Sequence, residues 1–415
     1  MNLELFIARR MAQQTPENRP GVMSRIAVVS VAVSVAVMLV ALSVVFGFKR
    51  EITAQMMGFM APVEVLDGAG IYTAESRPIS ASSRLETLLQ GVDGVRRAAP
   101  YAVKSGIMRT QEGMEGVLLK GVDGRYDWTF FADRMVEGSL PQVGGPVRTK
   151  ELLISERTGR LLNLHVGEKV EMLFVGADRT PRRDRFKVVG IYSTGMEELE
   201  RTAFTDLRNV QRLSAWESGE ISGYDLDLDT DDPDVAGRIA ETLNEALWRS
   251  DLSEADGVAA VSVSERYPAV FDWLKAHDVN AVVIIVVMVV VAFFNMASAL
   301  LILVLERTRM IGLLKAMGME NRRVRRIFLY RAAFIVGRGL IWGNAAAGLL
   351  CGLQAHFHLV KLDPTGYMLS EVPIAMDAGW WLAVNIVAAA VILLLLLAPA
   401  TLVARIRPDE AIKSN

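Results

Sequence analysis

Catalysis by this 415-residue chain would need a nucleophile, a metal or a phosphate cradle, and the residues able to supply one are few and scattered. His356 and His358 stand two apart, a spacing that shares one face only on a strand, while His165 and His277 are isolated. Cys351 lies beside Leu349, Gly348 and Gly352 in an apolar run, the setting of a small packing residue rather than of a thiolate nucleophile. A single cysteine also excludes an intramolecular disulfide. No G-x-x-x-x-G-K-[ST] phosphate loop and no G-x-S-x-G serine occur. The sequence predicts no catalytic residue, no metal and no cofactor held by this chain, and no ATP hydrolysis by it alone.

The charged residues point to recognition instead. Residues 306–331 carry eight Lys or Arg against Glu306 and Glu320, and they separate two runs greasy enough to span a bilayer. A short basic loop so placed belongs in the cytoplasm. Within it Met310, Ile311, Leu314 and Met317 recur at helical spacing, which predicts a short amphipathic helix whose apolar face has a partner. A second basic cluster, Arg179 to Arg185, is followed by Glu197, Glu198 and Glu200. Residues 51–278 hold 38 acids and 26 bases, so nucleic-acid binding is excluded as the main task.

The elements that position these clusters follow from hydropathy. The chain is 52% hydrophobic and 22% charged, a membrane composition with a large water-soluble part. Residues 26–48 carry no charge and make about 35 Å of helix, a first span. Residues 279–305 form an uncharged second span, 328–360 a third that contains Arg331 and Arg338, and 379–404 a fourth that opens on Trp380 and Trp381. Residues 1–25 read as an interfacial amphipathic helix, and 306–327 as the basic cytoplasmic connection. Residues 361–378 form an outer loop and 405–415 a cytoplasmic tail with Arg405, Arg407 and Lys413. The acidic segment 49–278 then lies outside. In it, 64–66, 82–90 and 95–108 read as strand, helix and strand, and the order returns at 224–228, 235–248 and 258–263. Between them, about 110–222, lies a β-rich insert with Gly, Pro and Asp turns. The predicted fold is a four-helix membrane protein with a large α+β extracytoplasmic domain between helices one and two.

Seven segments, in order and over nearly the whole chain, resemble one family. They are "LFIARR", "VVFGFKREI", "GVDGRYDW" followed by "VEG", "LLISERTGRLLNLHVGEKVEM", "ERTRMIGLLKAMG", "VPIAMD" and "ARIRPDEAIK". The chain resembles the lipoprotein-releasing permeases of the LolC/LolE family. "ERTRMIGLLKAMG" and the tail are shared with the wider superfamily of MacB-type exporters and FtsX, and the blocks at 118–138 and 151–172 favour the lipoprotein branch. The resemblance implies a type VII (MacB-like) permease with porter-like parts at about 60–109 and 223–265 and a sabre-like insert at about 110–222. It implies a bacterial inner-membrane subunit that passes lipoproteins to a LolA-like periplasmic carrier. It further implies a LolD-like ATPase dimer, with ATP and Mg bound there, and a second permease subunit, identical or sister.

By the same resemblance Glu306, Arg307, Met310, Ile311, Leu314, Lys315 and Gly318 are coupling residues against the ATPase. The family usually has an acidic residue where this chain has Met310. The segment "VGADRTPRRD", with Arg179, Arg182 and Arg183, stands where the family hooks the carrier, and is short and basic here. Three acyl chains at about 5 kcal/mol each would cost upwards of about 15 kcal/mol to expose to water, so such a permease must offer them apolar lining. Candidate lining is Phe46, Phe48, Met56, Met57, Phe59 and Met60 on one side and Ile284, Ile285 and Met288 on the other, the flexible thioethers suiting variable chains. A MacB-like exporter and an FtsX-like transmitter of force to cell-wall hydrolases are the competing readings. The first usually carries a fused ATPase, and the second a much shorter ectodomain.

Overall fold

The computed structural model describes residues 4, 6–7, 22–73, 75–175, 180–196, 199–306, 308–362, 369 and 371–397. The chain divides into a helical unit (Met1–Lys49, Leu274–Val360 and Val372–Asn415) and an α+β unit (Arg50–Trp273 and Lys361–Glu371). Among the described residues, four helices are long and apolar enough to cross a membrane.

The first, α1 (Val22–Phe59), continues past the uncharged run that the sequence marks as a span. Its last turns are amphipathic: Ile52, Met56 and Phe59, spaced at four and three, are 0%, 2% and 3% exposed. Nothing in that stretch breaks a helix, so the uncharged run marks the span and not the helix end.

The α+β unit is built on one ten-stranded sheet. Its elements in chain order are β1 (Val63–Asp67), β2 (Ile79–Ser80), α2 (Ser83–Gln90), β3 (Val95–Arg109) and β4 (Met114–Val122). There follow α3 (Thr129–Ala132), β5 (Met135–Gly138), β6 (Glu151–Ser155), α4 (Glu156–Leu162), β7 (Lys169–Val175) and β8 (Pro181–Tyr192). The unit continues with β9 (Thr202–Asp206), α5 (Leu207–Ser214), β10 (Glu220–Ile221), β11 (Gly223–Leu228), α6 (Pro233–Arg249), β12 (Val258–Ser262) and α7 (Val263–Arg266). The sheet runs β12-β1-β11-β3-β4-β9-β6-β8-β5, with β7 paired to β3 and β8, and β2 and β10 form a separate ribbon.

The two segments read as repeated strand–helix–strand parts interleave in this sheet rather than standing apart. β11 lies between β1 and β3, with Glu64 opposite Asp225 and Asp225 opposite Ala99. The insert joins through the parallel pair β4 and β9, where Leu118 meets Thr202. Met108, Leu119, Ile154, Phe186 and Val210 form part of one buried cluster that spans these strands, each large side chain contributing about 1.5–3 kcal/mol. Helix starts are locally fixed: Ser82 caps α2, Asp232 caps α6 with Pro233 behind it, and Ser262 and Glu265 make a capping box for α7.

The helical unit adds α8 (Pro268–Glu306), α9 (Thr308–Ala316), α10 (Asn321–Phe357) and α11 (Ala378–Leu395). Helix α8 begins in the segment assigned to the ectodomain, and α10 takes up the last residues assigned to the basic connection. Asp377 accepts from the Trp380 amide and starts α11. Helices α10 and α1 approach through glycine: a Cβ on Gly339 would stand 2.6 Å from Val31 Cγ1, and one on Gly343 would stand 2.8 Å from the Ala32 carbonyl oxygen. This is the G-x-x-x-G route to close helix packing where water supplies no driving force.

Candidate functional site

The basic connection places its apolar residues on α9 and turns them differently from the expected stripe. Ile311 is fully buried against Val324 and Phe328 of α10, with Met310 packed beside it. Leu313 and Met317, four apart, are 58% and 69% exposed. The stripe at 310, 311, 314 and 317 is therefore split: its 310–311 edge is the helix's own anchor, and the outward apolar surface is Leu313 with Met317. Leu313 escaped the sequence reading because a helix shows which residues share a face but not which face its neighbour covers. Lys315 is half-buried, and desolvation lowers its pKa. Gly318, at φ +89°, ends the helix: its N–H donates to Lys315 O and that of Met319 to Leu314 O, the paired bonds of a Schellman cap. Gly318 is thus a backbone stop. Arg307 and the side chain of Glu306 lie outside the described residues. The first turns of α10 bury Val324, Ile327 and Phe328 and expose Arg322, Arg323 and Arg326.

The nine proposed chain-lining residues fall into two groups. In the helical unit, Phe46, Ile285 and Met288 pack against one small cluster of Met38, Leu42, Ala281 and Ala388. Phe46 stacks on Trp380 at 5.2 Å between ring centroids. Phe48 and Ile284 are half-buried nearby in sequence. The cavity beside Phe46, Trp380 and Trp381 is about 30 Å³, room for about one water-sized group. In the α+β unit, Met56 and Met57 are 2% and 6% exposed, and Phe59 sits among Phe130, Phe131, Tyr192 and Phe204 at 5.5–6.2 Å. That aromatic cluster makes Phe59 a core residue of the unit. Met60 is half-buried, its sulfur 3.4 Å from the Tyr267 hydroxyl.

Two neutral side-chain links join helices of the helical unit, beside the exposed Lys49–Asp278 ion pair. Asn344 and Asn385 exchange amide hydrogen bonds of 2.7 and 3.0 Å between α10 and α11, and Trp381 Nε1 donates to Ser43 Oγ at 3.1 Å. Of the two arginines within the third span, Arg338 is exposed and Arg331 is buried, at 4%.

The basic cluster belongs to a hairpin. Strands β7 and β8 pair out to Val175 opposite Pro181, and Arg179 in the connection lies outside the described residues. Adjacent strand residues point to opposite faces, and the two arginines differ accordingly. Arg182 is half-buried and donates to the Leu213 carbonyl near the end of α5, while Arg183 is exposed. Arg182 thus helps to close a helix C-terminus, and Arg183 alone of the described pair is turned to solvent.

The sequence reading missed a buried ion layer in the α+β unit. The alternation in β11 reads as aspartates facing water, yet Asp225 is 4% exposed and meets Lys120 Nζ at 2.7 Å, Lys120 itself being 6% exposed. Lys120 lies over the Tyr101 ring at 4.7 Å, and the Tyr101 hydroxyl donates to Glu64 Oε2 at 3.3 Å. Arg266 Nε stands 3.6 Å from the same oxygen. Burial, and next to it the Glu64 charge, push the Asp225 carboxyl up to about 6 against the pull of Lys120. Burial and Glu64 hold the Tyr101 phenol well above its ordinary value, so it stays a donor. The signal available was the unusual pair of charges, Lys104 and Lys120, within otherwise apolar strand patterns.

Comparison with known proteins matches both halves of the chain. Residues 24–255 match the MacB-like periplasmic core domain, and 282–408 match the FtsX-like permease C-terminal region. The lipoprotein-releasing system transmembrane protein LolC of Xylella fastidiosa is 22% identical over 94% of this chain and 93% of its own. LolC of Neisseria meningitidis is 22% identical over 99% of both chains, and LolE of Haemophilus influenzae is 21% identical over the full length of both. The MacB-like match covers more than half of the chain, which therefore belongs to the family of permeases with a MacB-like periplasmic core domain, here joined to an FtsX-like C-terminal region in the full-length arrangement of LolC and LolE.

Proposed function

We propose that this chain is the membrane subunit of an ATP-driven complex that draws lipoproteins out of the bacterial inner membrane and hands them to a periplasmic carrier. The observation that carries the reading is the end-to-end likeness to relatives named as lipoprotein-releasing transmembrane proteins. The charge pattern supports a multi-pass topology with 306–327 and both termini in the cytoplasm and 49–278 in the periplasm. A separate ATPase dimer binds ATP and Mg, and a second permease copy or sister completes the pair. In this reading α9 is the coupling helix. Ile311 and Met310 hold it to the unit, Leu313 and Met317 reach the ATPase, Leu314 and Gly318 shape its end, and Glu306, Arg307 and Lys315 supply charge around the contact. Phe46, Phe48, Ile284, Ile285 and Met288 receive acyl chains once the Phe46–Trp380 stack parts, with the Met38, Leu42, Ala281 and Ala388 cluster as their floor. Arg179, Arg182 and Arg183 form the carrier's landing point, Arg183 foremost.

The test combines release and hydrolysis. In the complex reconstituted with its ATPase, Leu313→Asp with Met317→Asp should cut stimulated ATP hydrolysis and carrier-dependent release of lipoprotein at least tenfold at an unchanged melting temperature. Full activity in that variant would overturn the coupling assignment. ATP hydrolysis without any transfer of lipoprotein to the carrier by the unaltered complex would overturn the release function and leave mechanical signalling.

A further inference from the structure

Beside the buried ion layer the α+β unit holds a cavity of about 290 Å³, near the lower size of pockets that enclose small ligands. Glu64, Tyr101 and Lys120 line it together with the apolar side chains of Met60, Val103 and Leu118, and Tyr72, 82% exposed, marks its mouth. Glu64 is 7% exposed and engages Tyr101 and Arg266 through Oε2, which leaves Oε1 to accept from an occupant. The Lys120 ammonium has three N–H groups and meets one carboxylate oxygen, Asp225 Oδ2. The charges at this place cancel, Glu64 and Asp225 against Lys120 and Arg266, so a net cation or anion gains little there. A group that offers an N–H to one side and a carbonyl to the other gains both bonds, and a neutral one costs least to desolvate. The peptide group is that group.

We propose that this cavity binds a short peptide segment, one peptide group bridging Glu64 Oε1 and Lys120 Nζ while the adjoining apolar side chain lies against Met60, Val103 and Leu118. On the release reading the segment is the polypeptide part of the lipoprotein; that identity rests on the reading, and the peptide chemistry does not.

Saturation-transfer NMR on the full-length chain in detergent tests it, with acetyl-Leu-Ala-amide as the probe. The unaltered protein should give saturable transfer to the leucine methyls. Val103→Trp, which fills the cavity from its apolar wall and touches no ion pair, should weaken binding at least tenfold. Leu118→Phe serves in its place if the tryptophan lowers the melting temperature. Free leucine and n-butylamine should bind at least tenfold more weakly than the amide. Absence of saturable binding, equal binding by the filled variants, or equal binding of leucine or butylamine would each overturn the proposal. Probe binding in a complex that releases no lipoprotein would leave the peptide site standing and remove the release reading; release without probe binding would do the reverse.

Discussion

In the α+β unit Lys120 and Asp225 are both more than nine-tenths buried and meet as full charges at 2.7 Å, whereas in the helical unit α10 and α11 are tied by two neutral amides, Asn344 and Asn385. The difference follows from what each unit has to hold it together. The sheet buries a large apolar cluster away from water, so it can absorb the several kcal/mol that a desolvated ion costs. Helices among lipid tails gain no such term; α10 meets α1 by close approach at Gly339 and Gly343 and meets α11 through that neutral amide pair, although it also buries Arg331. A buried ion pair in the first unit is therefore a poor source of stability and a good place to look for a site, while a half-buried amide pair in the second is a modest fastener.

The largest expected effect tests the first half of that contrast. Lys120→Met leaves Asp225 buried without its cation and should destabilise the α+β unit by about 3–5 kcal/mol, whereas Lys120→Met with Asp225→Leu should recover most of the loss. Denaturant unfolding of the full-length chain in detergent, followed by circular dichroism, measures both. A single variant as stable as the parent would mean that the pair is not buried in solution.

A smaller effect sharpens the same point through pH. The Asp225 carboxyl is raised from the ordinary 3.8 to about 6 in the folded chain, so between those values the folded state holds the extra proton. Stability from this group therefore rises as pH falls from about 6 toward 4 and is lost as pH rises through about 6, a span worth roughly 2–3 kcal/mol. Asp225→Asn should flatten that part of the stability profile relative to the parent. Parallel profiles for parent and variant between pH 4 and 7 would show that Asp225 takes up no extra proton on folding.

How far the sequence shows all this depends on which kind of physics sets each feature. The spans are legible because a charge at the centre of a bilayer helix costs about 2.5–3.5 kcal/mol, so a 27-residue uncharged run such as 279–305 has one meaning, while 328–360, with Arg331 and Arg338, is less clean. The end of α1 is not, since helix continuation past residue 48 depends on Ile52, Met56 and Phe59 finding a core that only the folded strands supply. Asp225 misleads for a related reason: alternation in β11 implies that the polar side faces water, and only the register of β11 against β3, with β4 bringing Lys120 alongside, reveals that it does not. The basic connection is legible as an amphipathic helix, but its outward face is not. Leu313 and Ile311 are equally apolar, and the packing of α10 decides which is hidden.

The smallest expected effect tests the second half of the contrast. Asn385→Leu leaves the Asn344 amide between α10 and α11 donating to the Leu340 carbonyl alone of the two acceptors it now has. Because an unsatisfied amide in a helix bundle finds alternatives more readily than a stranded ion does, the loss should be about 0.6 kcal/mol and no more than about 1.7. Asn344→Leu with Asn385→Leu should come back to within a few tenths of the parent, since two leucines restore packing and strand no polar atom. Thermal unfolding of the three variants in detergent, read by tryptophan fluorescence, gives the coupling between the two sites as a double-mutant cycle. A cycle energy as large as that of the Lys120 and Asp225 pair would break the comparison. It would mean that the amide pair sits in surroundings as poor in alternative partners as the interior of the sheet, and that the helical unit depends on a specific polar lock rather than on glycine-mediated packing.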